Sequence, residues 1–231
     1  EFARWFSCFP TPASASSSDT GSEMSDMHRN STKWSLEERH FAVAPDWYGG
    51  RQAWLSEKGG LGTYTANRAC GLAALANVSL YLARTRPDCR ALYPYDTADE
   101  ENFTAVMKAI HAYVKPTPVG IFHLGMLSGG FLRYAQDAGV HLHANRADWR
   151  WNATNVSEYI KSGLLYGSPV LLLTWNTRIR ELRNHWVTIT GIEAQKGRID
   201  IITSNWGYKK TYNLDEWMDA YSLYRGLNYF T

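Results

Sequence analysis

The sequence predicts an α+β fold, with helices in the first part of the chain and an antiparallel β-sheet in the last part. Three observations carry this expectation. Cys70 to Arg84 is rich in helix formers and apolar nearly all round, the pattern of a buried central helix. From Pro169 onward the pattern changes to short apolar runs and β-branched residues. Lys196-Gly197 separates two of those runs as a hairpin turn does. The helical part is therefore expected to pack on the C-terminal sheet.

The elements follow in order. Residues 1–34 read as a flexible tail, because Pro10 to Ser25 is mostly Ser, Thr, Ala, Pro, Gly and Asp and cannot bury enough apolar surface to order itself. Ala13-Ser14-Ala15 resembles a signal-peptidase site, although the apolar region before it is short and broken by Pro10 and Pro12. The tail thus reads as a signal remnant, a pro-segment or a cloning extension with Met24 or Met27 as the native start. A secreted or cell-surface location is favoured over a cytoplasmic one. Residues 35–231 are expected to form a single domain, since 231 residues at 45% hydrophobic suffice for one good core.

Within that domain, Tyr48-Gly49-Gly50 and Gly59–Gly62 are turn signals, so 56–66 reads as a loop. The helix beginning at Cys70 is closed by Pro87. Asp96-Thr97 can cap a second helix, with Glu100 at capping-box spacing behind Thr97, running to about Val114. A third helix is expected over 124–138, stopping at Gly139, and a short strand from Val140 to Ala144. Asn155 or Ser157 starts another helix, ended near Gly163 or Gly167. Pro169–Thr174, His185–Ile192 and Arg198–Ser204 read as strands. Asn213 caps a short helix over Leu214–Tyr221, and Leu227–Phe230 is a last strand.

Composition removes several function classes. The formal net charge is +2 and no run of Lys/Arg forms a basic stripe, so a nucleic-acid partner is not expected. No apolar stretch approaches the roughly 18–20 residues that span a bilayer. Three cysteines, Cys8, Cys70 and Cys89, are too few for a disulfide framework. His141 and His143 lack the further ligands that zinc requires, and no cofactor is expected. A glycosidase needs two opposed carboxylates, and the 22 Asp/Glu contain no distinctive pair. The 10 Trp fit either a Trp-rich core or an aromatic-lined groove for peptide or glycan.

Cys70 stands where a loop becomes a helix. First-turn N–H groups and the positive end of the helix dipole favour a thiolate there, and the Cys70 N–H can face a developing oxyanion. Gly71 is expected to leave space beside the sulfur. The plainer reading is a small cysteine packed at a helix start. A thiolate needs a base to carry its proton to the leaving group. Of the seven histidines, His185 is set apart because it opens an apolar strand after the charged loop Arg178–Asn184. On the strand expected beside it lies Ser204-Asn205-Trp206-Gly207, whose amide oxygen can accept the imidazole Nδ1–H while Trp206 covers that bond from water.

Taken in order, Ala69-Cys70-Gly71 with its Ala-rich helix, then His185-Trp186-Val187-Thr188, then Ser204-Asn205-Trp206-Gly207, the chain resembles the papain-like cysteine peptidases. Within that superfamily it is most similar to the bacterial branch related to bacteriocin-processing peptidases. Tyr48-Gly49-Gly50-Arg51-Gln52 resembles a Tyr-Gly-Gly-x-Gln segment of bacterial members, and the likeness covers about 46–231. It implies a papain-like fold with the nucleophile helix packed on the sheet. It also implies a Cys70–His185–Asn205 triad acting on a peptide or amide substrate through a thioester.

Two departures matter. Papain-like enzymes usually carry an oxyanion-binding Gln six residues before the nucleophile, where this chain has Tyr64. Gln52 takes that role if 55–66 loops out, with Asn67 as the other candidate. The family pattern Asn-Ser-Trp-Gly is here Ser204-Asn205-Trp206-Gly207, so either Asn205 or Ser204 orients the histidine. The same triad also serves an acyltransferase or transpeptidase, and a non-catalytic peptide- or glycan-binding relative is the remaining alternative.

Overall fold

The structure, a computed structural model, describes residues 31–147 and 152–231. The expectations for residues 1–30 lie outside the described residues. The described residues open with β1 (Ser31–Ser35), the short hairpin β2 (Ala42–Val43) and β3 (Trp47–Tyr48), and two single-turn helices, α1 (Trp54–Glu57) and α2 (Thr63–Ala66). The long α3 (Cys70–Thr85), α4 (Glu100–His111) and α5 (Leu124–Asp137) follow. Next come β4 (Ala144–Ala147), α6 (Ala153–Leu165), β5 (Val170–Trp175), β6 (His185–Gln195), β7 (Arg198–Asn205), β8 (Tyr208–Asn213), α7 (Leu214–Asp219) and β9 (Tyr224–Phe230).

Strands β4-β9-β5-β6-β7-β8 form one sheet in that order, with β1 added beside β6. All its pairings are antiparallel, as the α+β reading expects. β6 is shared end to end: β5 pairs with its first half, Thr174 opposite His185, and β1 with its second half, Ser31 opposite Gln195. The domain boundary therefore shifts. Residues 31–34, expected in the tail, belong to the sheet: β1 pairs in register with β6, and Trp34 packs on the core with the Lys161 ammonium 4.4 Å from its ring.

α3 is buried along nearly its whole length, from Gly71 to Ala83, which explains why it shows no polar face. It lies on the sheet face that presents Thr188 and Ser204, since Asn77 Nδ2 donates to both hydroxyls. The next residues along β6, Val187 and Ile189, point to the opposite face because strand side chains alternate. That face is covered by α6, whose Gly163 packs against Val170, and by α7, whose Trp217 Nε1 donates to Thr174. Helices thus cover both faces of the sheet.

Local chemistry sets the ends of the elements. Asp99, not Asp96-Thr97, caps α4 by accepting from the Asn102 N–H at 2.8 Å, and the helix stops at His111 rather than Val114. His123 Nδ1 caps α5, Asn152 caps α6 and Asn213 caps α7. The strand expected at 140–144 lies at 144–147. The 56–66 loop contains part of α1 and all of α2. Lys196 and Gly197, both at positive φ, close the β6–β7 hairpin as expected. A second hairpin was not anticipated: Trp206 and Gly207 also have positive φ and turn β7 into β8. Among the described residues, no helix is long and apolar enough to cross a membrane.

Candidate active site

The nucleophile candidate Cys70 is the first residue of α3, and Ala69 before it offers no side-chain cap. The first-turn N–H groups of α3 are consequently not used by a capping side chain. Gly71 is not beside open space, contrary to expectation. A Cβ there would meet Ile121 at 2.8 Å and Leu127 at 3.1 Å, so the glycine lets α3 seat closely against the following loop and α5.

Cys70 lines one pocket together with Gln52, His185, Trp206, Asn77 and Ser204. His185 is the first residue of β6 and is 7% exposed. Its Nε2 lies 2.8 Å from Asn205 Oδ1. An amide oxygen only accepts, so Nε2 carries the proton and Nδ1 is left without one. The expected orientation, with Nδ1–H on the amide, is therefore reversed. The Trp206 ring lies over the imidazole with centroids 4.7 Å apart.

The two orienting candidates separate cleanly. Ser204 and Asn205 are neighbours on β7 and so face opposite sides of the sheet. Ser204 turns toward α3, donating to the Tyr48 carbonyl at 2.6 Å and accepting from Asn77. Asn205, 1% exposed, is the one that meets the imidazole.

Gln52 and Asn67 separate too. Gln52 Nε2 donates to the Ala66 carbonyl at 3.0 Å, which leaves its second hydrogen uncommitted, and its Oε1 is buried without a partner. Asn67 is exposed at the end of α2 and is not part of the pocket wall.

Sequence reasoning missed what holds Gln52 near α3. Asn77, two turns along α3 from Cys70 and 2% exposed, accepts the Gly50 N–H at 3.0 Å. Its amide nitrogen reaches Thr188 and Ser204, each at 3.2 Å. One side chain thus joins the Tyr48–Gln52 segment, α3 and strands β6 and β7. Gly49, at φ +77°, has to be glycine because a Cβ would overlap Ser204 and Asn77. The available signal was Asn77 itself, an amide inside a mostly apolar helix.

Electrostatics correct a further expectation. The N–H groups at the start of α3 and that of Trp186 do favour a Cys70 thiolate. Burial outweighs them and pushes the thiol up from its ordinary value. Burial also pushes His185 down, to about 4, against the raising effect of Asn205 and with help from the Lys210 charge. Each group alone is therefore neutral near pH 7. Cys89 is completely buried, and its thiol is pushed up by burial as well. Among the described residues, no three His, Cys, Asp or Glu gather as a metal-binding group.

No known family model matches the chain, and no curated protein matches its sequence.

Proposed function

We propose that the chain is a papain-like cysteine hydrolase that cleaves peptide or amide bonds, with Cys70 as nucleophile. The observation that carries this reading is the 2.8 Å His185–Asn205 hydrogen bond, roofed by Trp206, in a pocket shared with Cys70 and Gln52.

The chemistry follows from the shifts. A lone thiolate or a lone imidazolium is disfavoured by burial, so the two charges form together. Cys70 Sγ attacks the substrate carbonyl carbon as its proton passes to His185 Nδ1. The carbonyl π-bond opens to an oxyanion, held by the Cys70 N–H and the second Gln52 amide hydrogen. His185 returns the proton to the leaving nitrogen as the C–N bond breaks, leaving a thioester. Water, deprotonated by His185, then attacks the thioester carbonyl, and the C–S bond breaks to release the acid and regenerate the thiol. Asn205 keeps the imidazole in the tautomer this sequence requires.

The test is site-resolved alkylation with iodoacetamide followed by peptide mass spectrometry. Cys70 is expected to label with a rate that falls on replacing His185 by Ala, while Cys89 stays unlabelled in the folded protein. Equal, slow labelling of both cysteines counts against the proposal. Turnover of peptide and amide substrates, abolished in Cys70→Ala, tests the hydrolysis, and an added amine reports any acyl transfer.

A further inference from the structure

Beyond Asn205 the hydrogen bonds continue in one direction. Asn205 Nδ2 donates to Tyr212 Oη at 2.9 Å, Tyr212 Oη donates to Glu181 Oε2 at 2.7 Å, and Lys210 Nζ holds Glu181 Oε1 at 2.6 Å. We propose that Glu181 and Tyr212 are positioning residues that fix the Asn205 amide, and through it the His185 tautomer. This deepens the cysteine-hydrolase reading and rests on it.

The logic is the direction of each proton. A phenol has one hydrogen to donate. Tyr212 spends it on Glu181, so toward Asn205 it can only accept. That forces the amide to present Nδ2 to the phenol and Oδ1 to His185. Oδ1 accepts from Nε2–H and leaves Nδ1 bare, which is the form able to take the Cys70 proton. Without an acceptor at Glu181 the phenol can donate toward Asn205 and the amide can turn over. Nδ2 would then face Nε2, the proton would move to Nδ1, and the imidazole could no longer act as the base.

The chain is built to keep that polarity. Glu181 is held below the usual carboxylate range by Lys210 and by Tyr212, so it remains an acceptor. Burial, with Glu181 beside it, pushes the Tyr212 phenol up, so it keeps its proton. Strand parity brings the parts together: Thr203 pairs with Lys210 and Ile201 with Tyr212, so Lys210 and Tyr212 share the β7 face that carries Asn205. Glu181 comes from the loop just before His185, so both ends of the chain are anchored at the start of β6. The charge that acts on the imidazole from this side is Lys210, whose ammonium is paired with Glu181 and lies 5.4 Å from the Trp206 ring.

The experiment is ¹⁵N NMR of the histidine ring together with kcat/KM against pH, for wild type, Tyr212→Phe, Glu181→Gln and Glu181→Asp. Wild-type His185 is expected as the Nε2–H tautomer. Tyr212→Phe and Glu181→Gln should populate Nδ1–H and lose about 10–100-fold in kcat/KM with KM little changed, the scale of one hydrogen bond to a group that becomes charged. Glu181→Asp should restore part of the loss. Folded variants that keep the wild-type tautomer and pH profile overturn the proposal, as does a wild-type Nδ1–H tautomer. Should a variant not fold, the wild-type tautomer still decides. If wild-type Cys70 fails to alkylate selectively, it is the hydrolase reading that falls, which separates the two failures.

Discussion

Burial of His185 as a neutral ring has a consequence for stability that needs no substrate. In the unfolded chain the imidazole titrates near 6.5, and in the folded protein it is pushed down to about 4. Between these values the unfolded state binds the proton and the folded state does not. Stability therefore rises with pH through this window and is lost as pH falls from about 6.5 to 4. With about 1.36 kcal/mol for each pH unit between the two values, the loss approaches about 3 kcal/mol at pH 4 and is constant below it. Carboxylates titrate in the same range, so the quantity to measure is a difference. Urea unfolding of Cys70→Ser and of Cys70→Ser/His185→Gln, from pH 7.5 to 4, isolates the histidine, because serine forms no thiolate to pair with it. The gap between the two stabilities should shift by about 3 kcal/mol in favour of the glutamine variant as the pH is lowered. A pH-independent gap refutes the buried neutral imidazole. A gap that moves in the opposite direction means that the folded state stabilises the imidazolium.

Three other outcomes are expected. Gln52→Ala should lower kcat by about 10²–10³-fold, the usual loss of one oxyanion donor, whereas Asn67→Ala should leave kcat close to wild type in the same steady-state assay. Asn77→Leu strands the Gly50 N–H, a buried donor, so equilibrium unfolding should show a loss of about 1–3 kcal/mol or more. Trp206 occupies a turn position at φ +52°, where a bulky side chain is unfavourable and Asn is preferred. Trp206→Asn should hold or raise the melting temperature while lowering kcat/KM about tenfold, because water reaches the His185–Asn205 bond.

Much of the fold was legible because the chain states it in simple patterns. α3 announces itself by a nearly continuous apolar run, and β6 and β7 by β-branched residues around Lys196-Gly197. What escaped was polar. β1 is written in Ser, Thr and Lys at the margin of a low-complexity segment, and only its partner strand makes it a strand. β8, with Lys209 and Lys210, has no apolar alternation because it is a sheet edge with exposed residues, where charge blocks further pairing. That Cys70 and His185 would come to one pocket, with Asn205 beside the imidazole, could be read from their order along the chain. Asn77, Tyr212 and Glu181 could not, because their roles are hydrogen bonds between residues far apart in sequence.

The reversed dipeptide, Ser204-Asn205 where papain-like enzymes have Asn-Ser, is best understood as a matter of strand parity. Counting back from Trp206-Gly207 points to Ser204, but a hairpin is set by its turn and its register, not by the count. Here Trp206 is itself the first residue of the β7–β8 turn, so the residue just before it is the last of β7 and pairs with Tyr208. That residue faces the side of the sheet on which His185 lies, and the one before it faces α3. The chain uses both faces. Asn205 meets the imidazole and passes the hydrogen-bond chain to Tyr212, while Ser204 ties the Gln52 segment to Asn77. Exchanging the two residues would break both connections at once: the hydroxyl is too short to replace the amide toward Tyr212, and the amide is too large for the space beside Gly49.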